Sequence, residues 1–252
     1  MSETRADRRR PVALWAGLIV VALILLAAGL TWAAWDEEGS TTVTTEGATT
    51  TAPPEEATTG PAPTEDVSIA FLGDSLTEGV GAPPERGYAW QVAEDLGWEL
   101  ELVDGVGGSG YLVPGAGVPF PERVDGIVET GADVVVVSGG TNDIFQDQVA
   151  ADVAVAAEDV FHELVERMPA ARIVVVGPFP VNPLLAGMSV EMSDAIEGAA
   201  DAVGVEYVDA ADLLDRVDTS RWSEYISEDG IHPNEEGYDL MAQLIGERLT
   251  AG

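Results

Sequence analysis

Val67-Ser68-Ile69-Ala70-Phe71-Leu72, closed by Gly73-Asp74-Ser75, is the stretch from which the fold of this 252-residue chain is read. Six residues of low polarity, ended by a glycine, are short for a helix and suit a strand covered on both faces. Residues 98–103, 133–137, 172–176 and 205–208 are apolar runs of the same kind. Between them lie segments with apolar residues at helical spacing. The clearest is 149–168, where Val153, Ala157, Val160, Phe161, Leu164 and Met168 line one face. Residues 88–96, 190–203 and 235–249 are the others, the last with Asn234 as its cap and Glu235 and Glu236 in its positive first turn. Strand–helix alternation predicts an α/β protein, a three-layer α/β/α sandwich around a parallel five-stranded sheet. In such sheets, sites form beyond the carboxyl ends of the strands. Ser75 and Asn142 both fall there, after the first and third strands.

Working outward, residues 67–252 make one domain of 186 residues, enough for a sizeable core. Upstream the composition changes twice. Residues 36–66 hold ten threonines and eight acids, with Val43 the only large aliphatic side chain. Too little apolar surface to offset chain entropy predicts a disordered Thr/Pro/Glu-rich linker. Residues 11–35 carry no charge, and their number matches the ~20 residues that cross a bilayer core. Trp15, Trp32 and Trp35 lie near the ends of that run, where indoles favour the interface. Arg5, Arg8, Arg9 and Arg10 precede it within a basic tail of residues 1–10, which predicts a single-pass anchor with a cytoplasmic N-terminus and an extracytoplasmic domain. The alternative is secretion after cleavage of a signal peptide. Against it stand the length of the run and the poor cleavage site at Thr31-Trp32-Ala33.

Acids number 45 against 11 basic residues, all arginine, and there is no cysteine. Within residues 67–252, 35 acids and 7 arginines leave a formal charge of −28. That balance argues against nucleic acid and against docking on anionic lipid. A saline habitat is one reading of the acidic surface, and nucleotide bias in the genome is the other. A chain without cysteine suits export without disulfides. No metal-ligand spacing occurs, so no metal or cofactor is expected, and the catalytic domain is expected to be monomeric.

Three strings carry chemistry: Gly73-Asp74-Ser75-Leu76, Gly140-Thr141-Asn142-Asp143 and Asp229-Gly230-Ile231-His232. They supply a hydroxyl nucleophile, a carboxamide donor for an oxyanion, and a base with its orienting acid. His232 and His162 are the only histidines, and His162 lies inside an amphipathic helix where a half-exposed structural role fits. Asp229 stands three residues before His232, so one turn holds both side chains. The glycine-rich segment 105–110 follows the second strand, and Gly108 is the expected backbone donor. No glycine stands two residues after Ser75, which excludes the Gly-x-Ser-x-Gly elbow. Tyr111, Phe120, Phe179 and Trp222, from loops that also hold Leu112, Val118, Val181, Leu184, Leu185 and Tyr225, are candidates to line an apolar acyl pocket.

These blocks resemble the SGNH/GDSL hydrolase family, named for invariant Ser, Gly, Asn and His in four blocks. Ser75, Gly108, Asn142 and His232 match the four, with Asp229 at the acid position, and the likeness covers residues 69–249. The resemblance implies a flavodoxin-like sandwich and an oxyanion hole made by the Ser75 amide, the Gly108 amide and the Asn142 side chain. One departure is Asp104, where related chains often carry a nearby asparagine. The expected function is a serine esterase acting through a Ser75-His232-Asp229 acyl-enzyme on acetylated envelope glycans or short- to medium-chain acyl lipids. The alternatives are acyl transfer to an alcohol acceptor at the same site, or a non-catalytic glycan-binding module.

Overall fold

Side chains alternate across a strand, so a strand buried on both faces must feed two separate cores. The computed structural model describes residues 67–180, 182–183 and 186–251. The elements are Ser68–Gly73 (β1), Tyr88–Leu96 (α1), Glu99–Gly105 (β2), Val124–Thr130 (α2), Val134–Ser138 (β3), Thr141–Phe145 (α3), Ala150–Arg167 (α4), Arg172–Val176 (β4), Ala186–Val203 (α5), Glu206–Val208 (β5) and Glu235–Thr250 (α6). The strands form one sheet in the order β2-β1-β3-β4-β5, every neighbouring pair parallel.

One set of side chains, among them Ile69, Phe71, Val136 and Val174, packs with Tyr88 and Val92 of α1 and Tyr238, Met241 and Ile245 of α6. The other set, with Leu72, Val135, Val137 and Val175, packs with Ile127 of α2, Val160, Phe161 and Leu164 of α4, and Ile196 of α5. Val135, Val136 and Val137 are wholly buried, so the central strand serves both layers. Each such valine contributes about 1.5–3 kcal/mol relative to exposure. The expected three-layer sandwich is present.

Asn234 caps α6, its side-chain oxygen accepting from the Gly237 amide at 3.0 Å. α5 begins at Ala186, earlier than the apolar spacing suggests. Two helices had no sequence signal. α2 buries only Val124 and Ile127, too few apolar positions to display a period. α3 is five residues long, too short for one.

The register decides where the site lies. Gly73 at the end of β1 pairs with Gly105 at the end of β2 and with Ser138 at the end of β3. The segments carrying Ser75, Gly108 and Asn142 therefore leave the sheet side by side. Strand order reverses direction at this same place, between β1 and β3, where a crevice opens in folds of this class. The basic tail, the expected anchor at 11–35 and the linker at 36–66 lie outside the described residues. Among the described residues, no helix is long and apolar enough to cross a membrane.

Candidate active site

Two residues before Ser75 stands a glycine whose requirement is steric. A Cβ on Gly73 would lie 2.0 Å from Thr77 Oγ1 and 2.8 Å from the Ser138 carbonyl oxygen, so the chain turns there against β3 with no room for a side chain. The Leu76 amide donates to Asp74 Oδ1 at 2.9 Å and the Glu78 amide to the Asp74 carbonyl at 2.9 Å, which closes the turn around Ser75.

His232 reaches this turn from the far end of the chain. Its Nε2 lies 2.9 Å from Ser75 Oγ, and its Nδ1 lies 2.6 Å from Asp229 Oδ2. The other Asp229 oxygen accepts from the amides of Ile231 at 2.8 Å and His232 at 2.9 Å, and from the Ser227 hydroxyl at 2.9 Å. One carboxylate thus shapes the turn and orients the imidazole. Partial burial pushes the Asp229 carboxyl up, but its hydrogen bonds from His232, Ile231 and Ser227 outweigh that and hold it at about 2.

Gly140 turns the chain from β3 into α3 with φ +106°, a left-handed conformation that side chains resist. Asn142 then sits in the first turn of α3. Its Nδ2 donates to the Ser109 carbonyl at 2.9 Å and to Asp74 Oδ2 at 3.2 Å. Its neighbour Asp143 is fully buried and accepts from the Tyr111 and Leu112 amides at 3.0 and 2.9 Å. Among the described residues, the backbone amides of Ser75 and Gly108 donate to no protein acceptor. Ser75, His232, Asp229, Asn142 and the Gly108 loop are therefore brought together.

Two groups in this cluster went unassigned at the level of sequence. Asp74 is 2 % exposed, and burial pushes its carboxyl up to about 7 against the pull of the Leu76 amide. Asp143 is a buried anchor for the loop after β2, and burial raises its carboxyl as well. Both belong to the motifs themselves, but nothing in a linear reading marks an acid as buried.

Two of the four candidate pocket residues are corrected. Tyr111 and Phe120 are fully buried in the core, with ring centroids 4.9 Å apart, and Tyr111 meets Phe161 edge-on at 6.0 Å. Asp143 holds the Tyr111 backbone, which turns the ring inward under α4 and leaves it no access to substrate. Phe179 and Trp222 do line an apolar recess, with Leu76, Leu213, Ile231 and Met241. Leu76 and Ile231 are the sequence neighbours of Ser75 and His232, which do not themselves line the recess. Phe179 also borders a second recess with Ile144, Phe145 and Met188. Val181, Leu184 and Leu185 lie outside the described residues. His162 is exposed, its ring 3.8 Å from Glu158.

Known proteins resemble this chain in sequence and in fold. Residues 71–240 match the model of the GDSL-like Lipase/Acylhydrolase family. The GDSL lipase Rv0518 of Mycobacterium tuberculosis is 29% identical over 190 residues, covering 72% of this chain and 81% of that protein. Among solved structures, TesA superposes with a TM-score of 0.59 at 15% identity, covering 74% of this chain and 98% of its own. The esterase EstA from Pseudoalteromonas sp. gives 0.59 at 16% identity, over 74% and 98%. Est24, a carbohydrate acetylesterase from Sinorhizobium meliloti, gives 0.56 at 20%, over 73% and 99%. At these identities the structural likeness is one of fold.

Proposed function

The chain belongs to the GDSL-like Lipase/Acylhydrolase family and is a carboxylic ester hydrolase, and on that premise we infer that it is an extracytoplasmic serine esterase working through a Ser75-His232-Asp229 acyl-enzyme. The observation that carries this reading is the unbroken relay from Ser75 Oγ to His232 Nε2 at 2.9 Å and from Nδ1 to Asp229 at 2.6 Å. A carboxyl held at about 2 is ionised at neutral pH, accepts Nδ1–H, and leaves Nε2 bare toward the hydroxyl.

His232 takes the Ser75 proton as Oγ bonds to the ester carbonyl carbon, and the carbonyl π electrons move onto oxygen. The Ser75 and Gly108 amides are open to that oxyanion. Asn142 joins them by releasing its longer bond, the one to Asp74. Collapse of the tetrahedral species expels the alcohol, which leaves with the proton from His232. Water then repeats the sequence on the acyl-enzyme and returns Ser75 to its hydroxyl.

Two substrate classes suit the site. The apolar recess lined by Leu76, Phe179, Trp222 and Ile231 supports short- to medium-chain acyl lipids. The fold shared with a carbohydrate acetylesterase supports acetylated envelope glycans. A nitrophenyl ester panel from acetate to dodecanoate separates them, since only a lipid-directed enzyme gains activity with chain length. The arginines of the N-terminal tail followed by the uncharged run at 11–35 support a retained membrane anchor with the hydrolase domain outside.

The chemistry is tested by labelling the full chain with a fluorophosphonate and mapping the modified peptide. Ser75 is the expected adduct, and Ser75→Ala lowers turnover about 10⁴-fold or more. His162→Ala leaves turnover unchanged. A label mapped elsewhere, or full turnover in Ser75→Ala, overturns the assignment.

A further inference from the structure

Among the described residues, Arg123 is the only buried basic side chain, and it belongs to none of the three motifs. It closes a 3-10 turn, Phe120–Arg123, that leads into α2. Its guanidinium carbon stands 5.5 Å from the centroid of the Phe120 ring. The donors are spent on three separate pieces of chain. Nε and Nη2 reach the Asp104 carboxylate at 3.2 and 2.8 Å. Nη2 also donates to the Gly73 carbonyl at 3.0 Å and to the Asp104 carbonyl. Nη1 donates to Ser109 Oγ at 3.0 Å.

Each acceptor adjoins a reacting group. Gly73 stands two residues before Ser75, and Asp104 near the end of β2 leads into the glycine loop. Ser109 is the junction. Its amide and hydroxyl both donate to the Val106 carbonyl, at 3.1 and 2.8 Å, and its own carbonyl accepts Asn142 Nδ2 at 2.9 Å. A loop with glycine at 105, 107, 108 and 110 has few side chains to pack and depends on such ties for its shape.

We propose that Arg123 is a positioning residue for the oxyanion donors: through Ser109 it sets where the Gly108 amide and the Asn142 carboxamide point above Ser75. This rests on the serine-esterase reading of the site. A buried ion pair adds little net stability compared with apolar packing, because desolvation cancels most of its attraction. A planar fork that satisfies several acceptors at once fixes geometry, and lysine lacks it. The acid at 104 is accounted for in the same way, since it neutralises the buried guanidinium.

The test is a double-mutant cycle in the full chain, with kcat and KM measured on nitrophenyl acetate and thermal unfolding followed in parallel. Arg123→Lys is expected to lower kcat about 10- to 100-fold, as for a donor displaced by up to about 1 Å, with KM changed less than about threefold. In an Asn142→Ala background the same substitution is expected to cost under half as much on a logarithmic scale, because a donor it positions is already gone. Should Arg123→Lys fail to fold, Ser109→Ala removes the guanidinium contact together with the hydroxyl's bond to Val106, keeps the Ser109 amide and carbonyl bonds, and is expected to lower kcat with KM held. Full additivity with Asn142→Ala, or a loss confined to KM, overturns the proposal and leaves Arg123 a structural residue. Wild-type kcat in Asn142→Ala or Ser75→Ala instead defeats the esterase site on which it rests.

Discussion

Replacing Asp74 by asparagine gives a stability signature that depends on pH and is calculable from the structure. Asp74 is almost wholly enclosed, and burial pushes its carboxyl from 3.8 to about 7, with the negative Asp143 adding to the rise and Arg123 and the Leu76 amide opposing it. The folded chain therefore keeps this proton up to about pH 7, while the unfolded chain releases it near 3.8. Between those values the folded state binds more protons, so stability falls as pH rises through the window and levels off above it. A displacement of about three units at ~1.36 kcal/mol each makes the fall about 4 kcal/mol. Asparagine cannot ionise and lacks this slope. It does lose an acceptor toward Asn142, a penalty of about 1–3 kcal/mol that is the same at every pH. Urea unfolding of both proteins at fixed ionic strength, from pH 4 to pH 8.5, isolates the difference. The variant is expected to gain about 4 kcal/mol on wild type across the range, its remaining slope reporting the other acids, Asp143 included. A difference constant within about 1 kcal/mol refutes the reasoning, because Asp74 then ionises as freely in the fold as in the open chain.

Asp229→Asn keeps an oxygen for the amides of Ile231 and His232 but turns an N–H toward the imidazole, favouring the wrong tautomer, so kcat is expected to fall about 10⁴-fold. A loss under tenfold assigns Asp229 to the turn alone. The Tyr111 hydroxyl is buried without a hydrogen-bond partner among the described residues, so Tyr111→Phe is expected to raise unfolding stability by about 1 kcal/mol with KM unchanged. A raised KM would return Tyr111 to the substrate pocket from which its burial removes it.

Local features made most of the fold legible in sequence. The inner strands are recognisable because parallel strands buried on both faces need β-branched and apolar residues at consecutive positions, as in Val134–Ser138 and Arg172–Val176, while the edge strands β2 and β5 show shorter or interrupted apolar runs. α4 and α6 show their apolar stripe, and Asn234 shows its cap. α2 and α3 do not, being too short to express a period. Ser75 and Asn142 were legible because each sits in a short polar string just after a strand end, and Asp229 and His232 because they stand three residues apart in a chain with only two histidines. The two misassigned aromatics show the limit. Tyr111 and Phe120 occur in a glycine- and proline-rich loop whose apolar side chains suit a pocket lining, and only the packing of Tyr111 on Phe120 and Phe161 shows that the loop folds its aromatic residues inward.

Composition and spacing determined by themselves that this chain holds an acidic α/β domain with a serine, a histidine, an asparagine and one acid available for ester chemistry, since residue type sets pKa, reactivity and strand preference. Tertiary structure alone decided which acids are buried, that Ser109 joins Asn142 to the glycine loop, and that Arg123 ties β1, β2 and that loop together. Those facts depend on desolvation and on contacts between residues far apart in the chain, as with Arg123 and Gly73, and no one-dimensional pattern records which distant groups share a dielectric or a hydrogen bond.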